Sequence, residues 1–237
     1  MNVARSIVFD FDGTLAVGNG PVLAYARAVA PSANPGFVDR VKDGLNAFDA
    51  GRSGYRDGYH VVAKLAARDG VSSGTMNQAY QASREMLGTS DAPVEAPAGL
   101  AELLNSLNRH AELHVATNAP RAGVEQVLKS WEVRGYFAQV HVNVGKPAGL
   151  YPIIENSLRG GPVLAVGDIV EFDLQPAIDL GADTALVGAS AATSKAPVTM
   201  RGASLTTLHD ELVHWAAQPP APTSSPHTSH LKGFPDA

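Results

Sequence analysis

The sequence predicts an α/β fold, a doubly wound parallel sheet interrupted by a helical domain, on three observations. The first is Ser6-Ile7-Val8-Phe9, an apolar run close to the N-terminus that ends in Asp10-Phe11-Asp12 and closes on Gly13. Runs of this kind are strands buried on both faces, as parallel sheets require, and they deliver their last residues to the sheet edge where open α/β folds bind ligands. The second is an alternation of helical and short apolar segments beginning at Ala96. The third is the stretch between them, which carries helical periodicity and no strand pattern, and is too long for a single crossover.

In order, the first strand leads into Ala16-Val17-Gly18-Asn19-Gly20-Pro21, a loop by its glycines and proline. Four helices are expected next: Val22 to Ala30, stopped by Pro31; then the apolar spacings Phe37, Val41, Leu45, Phe48; Tyr55, Tyr59, Val62, Leu65; and Met76, Tyr80, Ser83, Leu87. Beyond Ala96, Leu100, Leu103, Leu104 and Leu107 mark a helix, Leu113 to Thr117 a strand, and Val124, Val127, Leu128 and Trp131 a helix. A strand is expected over Val140 to Val144, a helix through Leu150, Ile153, Ile154 and Leu158, and a strand over Val163 to Val166 that runs into Gly167-Asp168. A short helix through Leu174, Ala177 and Ile178, a last strand over Thr184 to Val187 and a helix through Leu205, Leu208, Leu212 and Trp215 complete the pattern. The expected domains are an α/β core, residues 1–17 and 94–217, and a helical cap, residues 18–93, whose two linkers flank the carboxylate strand and suit a lid. Residues 218–237, rich in Pro, Ser and Thr, are expected to form an extended tail, where His227 and His230 read as unstructured rather than metal-binding.

Composition narrows the function. A chain of 237 residues has room for a sizeable core, and a net charge of -5 gives no reason to expect nucleic acid or an anionic membrane as partner. Without cysteine there are no disulfides, thiolate metal sites or cysteine nucleophiles. The first apolar run is broken by Asp10 and Asp12, so it does not read as a signal peptide, and a cytoplasmic protein is the default expectation.

The chemistry concentrates at strand ends. Asp10 and Asp12, two apart on an extended segment, should point the same way, and two like charges that close call for a cation or a shared proton. The other strand ends bring Thr117 and Asn118, then Lys146, then Asp168 with Asp173 five residues on. A hydroxyl and amides can hold phosphate oxygens, and a lysine can neutralise a phosphorylated intermediate. Taken singly, the threonine could be a helix cap, the lysine a surface charge and Asp168 an N-cap.

Together, Asp10-Phe11-Asp12-Gly13-Thr14, Thr117, Lys146-Pro147 and Gly167-Asp168 with Asp173 resemble the four motifs of the haloacid dehalogenase (HAD) superfamily, most of whose members are magnesium-dependent phosphatases. The resemblance runs from Ile7 to Val187. It implies a Rossmann-like, HAD-like core, Asp10 as nucleophile, Asp12 as general acid and base, Thr117, Asn118 and Lys146 at the phosphate, and Mg²⁺ held by Asp10, the Asp12 backbone carbonyl and Asp168. Asp173 would orient Lys146 or a metal-bound water. The substrate would be a small phosphorylated metabolite, with Arg52 and Arg56 as cap-borne candidates for contacting its leaving group. Ile169 and Phe172 depart from the polar residues the family often places after its Gly-Asp pair. The alternatives are a phosphomutase on the same core, for which the histidine-bearing segment after the first motif is missing, and a phospho-accepting regulatory domain, whose acceptor would lie on a later strand.

Overall fold

A computed structural model describes residues 5–219. Its core is a six-stranded, wholly parallel sheet in the order β3-β2-β1-β4-β5-β6. The strands are β1 (Arg5–Phe9), β2 (Ala111–Ala116), β3 (Phe137–His141), β4 (Val163–Gly167), β5 (Asp183–Val187) and β6 (Met200–Gly202). Every residue of β1 and of β4 is buried, the apolar Ile7-Val8-Phe9 and Val163 to Val166 as expected of a parallel sheet and Arg5 and Ser6 with them. Helices α5 (Leu100–Leu107), α6 (Arg121–Ser130) and α9 (His209–Ala217) contribute their leucines, valines and Trp215 to an apolar cluster on one face of the sheet. Helices α7 (Tyr151–Leu158) and α8 (Gln175–Asp179) pack through Ile154 and Ala177 against Val8 and Ala165 on the other.

Between β1 and β2 the chain forms α1 (Gly20–Val29), α2 (Phe37–Asp49), α3 (Gly58–Arg68) and α4 (Ser73–Glu85). These four bury an apolar cluster of their own, among it Val22, Tyr25, Phe37, Val41, Leu45 and Val62. Pro21 sits in the first turn of α1, where a missing N–H costs nothing. Asp57 caps α3 by accepting from His60 N–H at 2.7 Å, and Ser72 caps α4 by accepting from Thr75 N–H at 3.1 Å.

Two features depart from the periodicities. The third strand is Phe137–His141, not Val140 to Val144: Leu113 pairs with Phe137 and Ala116 with His141, with an irregularity after Leu113, while Ala138 and Gln139 lie exposed on this edge strand and break its apolar run. Asn143 and Val144 instead form the loop beyond, where their N–H groups donate to the carbonyls of Ala119 and Thr117. The sheet also does not end at β5, since the short β6 pairs Ala185 with Met200. No described helix is long and apolar enough to cross a membrane. His227 and His230, and all but the first two residues of the expected tail, lie outside the described residues.

Candidate active site

Strand order reverses at β1, with β2 on one side and β4 on the other, and such a switch point opens a crevice at the carboxyl ends of the strands. Phe9 pairs with both Val115 and Val166, so Asp10 emerges level with the ends of both neighbours, its N–H donating to the Val166 carbonyl at 2.8 Å. Thr117 and Asp168 each stand one residue past their strand. The turn that follows β1 needs glycine: Gly13 has φ +85°, and a Cβ there would lie 2.3 Å from Asp168 Oδ2. Gly167 is under the same constraint, since its Cβ would lie 2.3 Å from that of Asp173.

Lys146 is the hub. Its ammonium donates to Asp10 Oδ1 at 2.6 Å and to Asp173 Oδ1 at 2.8 Å, and only 3% of its side chain is exposed. Burial works against the charge, but the two carboxylates outweigh it and hold the lysine above its ordinary pKa. Asn118 fixes the approach of this residue, its Oδ1 accepting from Lys146 N–H at 2.8 Å. Asp173 also accepts from Ile169 N–H at 2.9 Å, so both its oxygens are satisfied. Thr117, 1% exposed, accepts from Ala119 N–H at 3.0 Å in a local turn; it does not cap α6, whose N-cap is Pro120.

Two buried carboxylate oxygens have no hydrogen-bond partner among the described residues: Asp10 Oδ2 and Asp168 Oδ1. Asp10, Asp168 and Asp173 each bring an oxygen within 4.8 Å of the others. Burial, then Asp173, pushes Asp10 up to about 7 against the opposing pull of Lys146. Burial, then Asp173 and Asp10, pushes Asp168 well above the carboxylate range. Buried oxygens left unpaired are costly, and an all-oxygen donor set of this charge is what a hard divalent cation takes. The residues therefore fit Mg²⁺, with Asp10 and Asp168 supplying the free donors.

Asp12 behaves otherwise. Its Oδ2 accepts from Arg84 Nη2 at 2.7 Å, an ion pair that the motifs at the strand ends do not announce. Arg84 lies in the last turn of α4 with a side chain only 2% exposed, and its Nη1 donates to the Tyr59 hydroxyl. Sequence periodicity gave no hint of it, because a lone arginine beside a helix end reads as solvated.

All of Asp10, Asp12, Thr117, Asn118, Lys146, Asp168 and Asp173 line one cavity of about 160 Å³, with Tyr59, Tyr80, Arg56 and Asp57 contributed by the four-helix unit. Of the two arginines expected near a substrate, Arg56 is in this wall, its Nε donating to Asp57 at 2.9 Å and its cation lying 4.6 Å from the centroid of the Phe172 ring. Phe172, a departure from the family pattern, is thus the platform beneath Arg56. Arg52 is exposed just after α2 and is not among the residues that line this cavity.

The family model described as haloacid dehalogenase-like hydrolase matches residues 4–181, three quarters of the chain. The chain belongs to this family. No curated protein matches it. The HAD-like fold is shared with a predicted phosphatase from Clostridium acetobutylicum (16% identity, 90% of this chain and 100% of that one, TM-score 0.64). It is shared too with a Bacillus subtilis protein assigned as a HAD-hydrolase and solved bound to magnesium (17%, 88% and 98%, TM-score 0.60). A 2-haloacid dehalogenase from Pseudomonas syringae is a further structural relative (18%, 90% and 99%, TM-score 0.52). At such identities the likeness is one of fold, and it extends to proteins described as a predicted phosphatase and as a dehalogenase alike.

Proposed function

We propose that this HAD hydrolase is a Mg²⁺-dependent phosphatase that hydrolyses a small phosphorylated metabolite through an aspartyl-phosphate on Asp10. The reading is of a cytoplasmic enzyme with neither nucleic acid nor membrane as partner. The observation that carries it is the pairing of Lys146 with Asp10 Oδ1 beside the unpartnered Asp10 Oδ2 and Asp168 Oδ1, with a second acid, Asp12, on the same cavity. Mg²⁺, held by Asp10, Asp168 and the Asp12 carbonyl, would supply positive charge that screens the phosphate dianion and keeps Asp10 ionised.

The chain's own residues account for the rest. An Asp10 carboxylate oxygen attacks phosphorus, the ester P–O bond breaks, and Asp12 gives its proton to the departing alkoxide. Asp12 then takes a proton from water, the water oxygen bonds to phosphorus, and the Asp10–P bond breaks to release inorganic phosphate. Lys146, Thr117 and Asn118 hold the phosphoryl oxygens as charge builds on them. A dehalogenase instead forms a carbon ester on the same aspartate and has water attack the carboxyl carbon.

The test is hydrolysis of a phosphate monoester with and without chelator, followed by one turnover in heavy-oxygen water. The expected result is Mg²⁺-dependent turnover with label in phosphate and none in Asp10, and an Asp12→Asn enzyme slowed roughly 10²- to 10⁴-fold. Label in the Asp10 carboxylate, or full activity in chelator, would refute the proposal.

A further inference from the structure

Arg84 belongs to the four-helix unit, yet its one recorded ionic partner among the described residues is Asp12, in the turn after β1. We propose that Arg84 is a positioning residue: it orients the Asp12 carboxylate from the four-helix side, so that the acid is set for proton transfer only while that unit is seated on the core. The inference rests on the phosphatase reading above.

The pair is not what stability alone would select. Burying a guanidinium costs desolvation even beside a partly exposed carboxylate, and apolar replacements of buried ion pairs are often neutral or better. Here the cost is increased by Arg84 Nε, which is buried without a partner. What the arrangement does provide is geometry. Tyr59 fixes Arg84 Nη1, and the guanidinium carbon lies 5.7 Å from the Tyr59 ring centroid and 6.0 Å from that of Tyr80. Tyr59 and Tyr80 in turn pack edge to face with centroids 5.6 Å apart, and Tyr25 of α1 meets Tyr80 at 5.7 Å. A rigid aromatic seat built from α1, α3 and α4 thus aims one guanidinium nitrogen at Asp12 Oδ2. Asp12 is 27% exposed in its side chain and sits in a turn, and among the described residues no core side chain bonds its carboxylate. Lifting the four-helix unit would remove its only recorded side-chain anchor among the described residues.

The experiment compares wild type, Arg84→Met and Arg84→Lys on two esters in Mg²⁺: an alkyl phosphate, whose alkoxide must be protonated to leave, and p-nitrophenyl phosphate, whose phenolate leaves unprotonated. For Arg84→Met, kcat/KM on the alkyl ester, which covers the transfer to Asp10 that needs the acid, should fall roughly 10²-fold, the scale of a misplaced catalytic group, with a much smaller fall on the aryl ester, while kcat falls on both wherever hydrolysis of the shared aspartyl-phosphate, with Asp12 as base, limits turnover. Arg84→Lys should recover part of the loss, and added guanidinium should restore Arg84→Ala but not Asp12→Asn. Should Arg84→Met not fold, Tyr59→Phe, which removes the hydroxyl that steadies Arg84, should show the same leaving-group dependence in milder form. Equal losses of kcat/KM on the two esters, with an active wild type, would overturn this role alone. A wild type inactive on both would overturn the phosphatase reading and this inference with it.

Discussion

Withdrawing Mg²⁺ while raising the pH should weaken the fold, because the active-site carboxylates are then left charged and buried together. In the metal-free protein Asp10 is pushed from 3.8 up to about 7, first by burial and then by Asp173. Between those values the folded chain binds a proton that the unfolded chain has lost. The contribution is therefore complete below about pH 4 and disappears as pH rises through about 7. A shift of that size is worth on the order of 4 kcal/mol, a large part of the roughly 5–15 kcal/mol that holds a domain together. Asp168 acts in the same sense. His114 and His141, held below their usual pKa first by burial, act in the opposite sense, losing stability as pH falls, so Asp10→Asn is needed to isolate the carboxylate contribution. Urea midpoints in chelator should fall from pH 5 to pH 8 for wild type relative to Asp10→Asn. Mg²⁺ at about 100 times its Kd should return about 2.7 kcal/mol at pH 8. A wild-type midpoint that does not fall relative to Asp10→Asn, or Mg²⁺ stabilisation undiminished in Asp168→Asn, would refute the assignment of these carboxylates to a metal site.

Gly13→Ala must adopt φ +85° and place a Cβ 2.3 Å from Asp168 Oδ2, so it should lower stability by about 1–3 kcal/mol and weaken Mg²⁺ binding, both measurable by thermal melts across a Mg²⁺ titration. Lys146→Met should reduce kcat by roughly 10²- to 10³-fold, the usual loss on removing a group that stabilises transition-state charge, and steady-state kinetics would show it. Arg56→Ala should alter the ranking of a panel of phosphorylated metabolites more than it alters turnover of a small aryl ester, whereas Arg52→Ala, exposed and outside the cavity, should change neither.

What sequence determined here is what short-range physics determines. An unbroken apolar run reads as a doubly buried strand, and β1 and β4 follow it residue for residue apart from one at an end. Because strands of a parallel sheet all finish at one edge, Asp10, Thr117 and Asp168 are legible as a set from the strands they follow; Lys146, five residues past β3, and the chain's place among HAD hydrolases are legible from the resemblance of the motifs. Pairing decided the rest. β3 is placed by its register with β2 and not by its own weak pattern, and β6, three residues long, exists only because β5 offers an edge to it. The partner of Asp12 was out of reach for the same reason. Arg84 lies 72 residues away on a helix of another layer, and whether its guanidinium meets solvent or a carboxylate depends on how two distinct apolar clusters pack, which no local periodicity encodes.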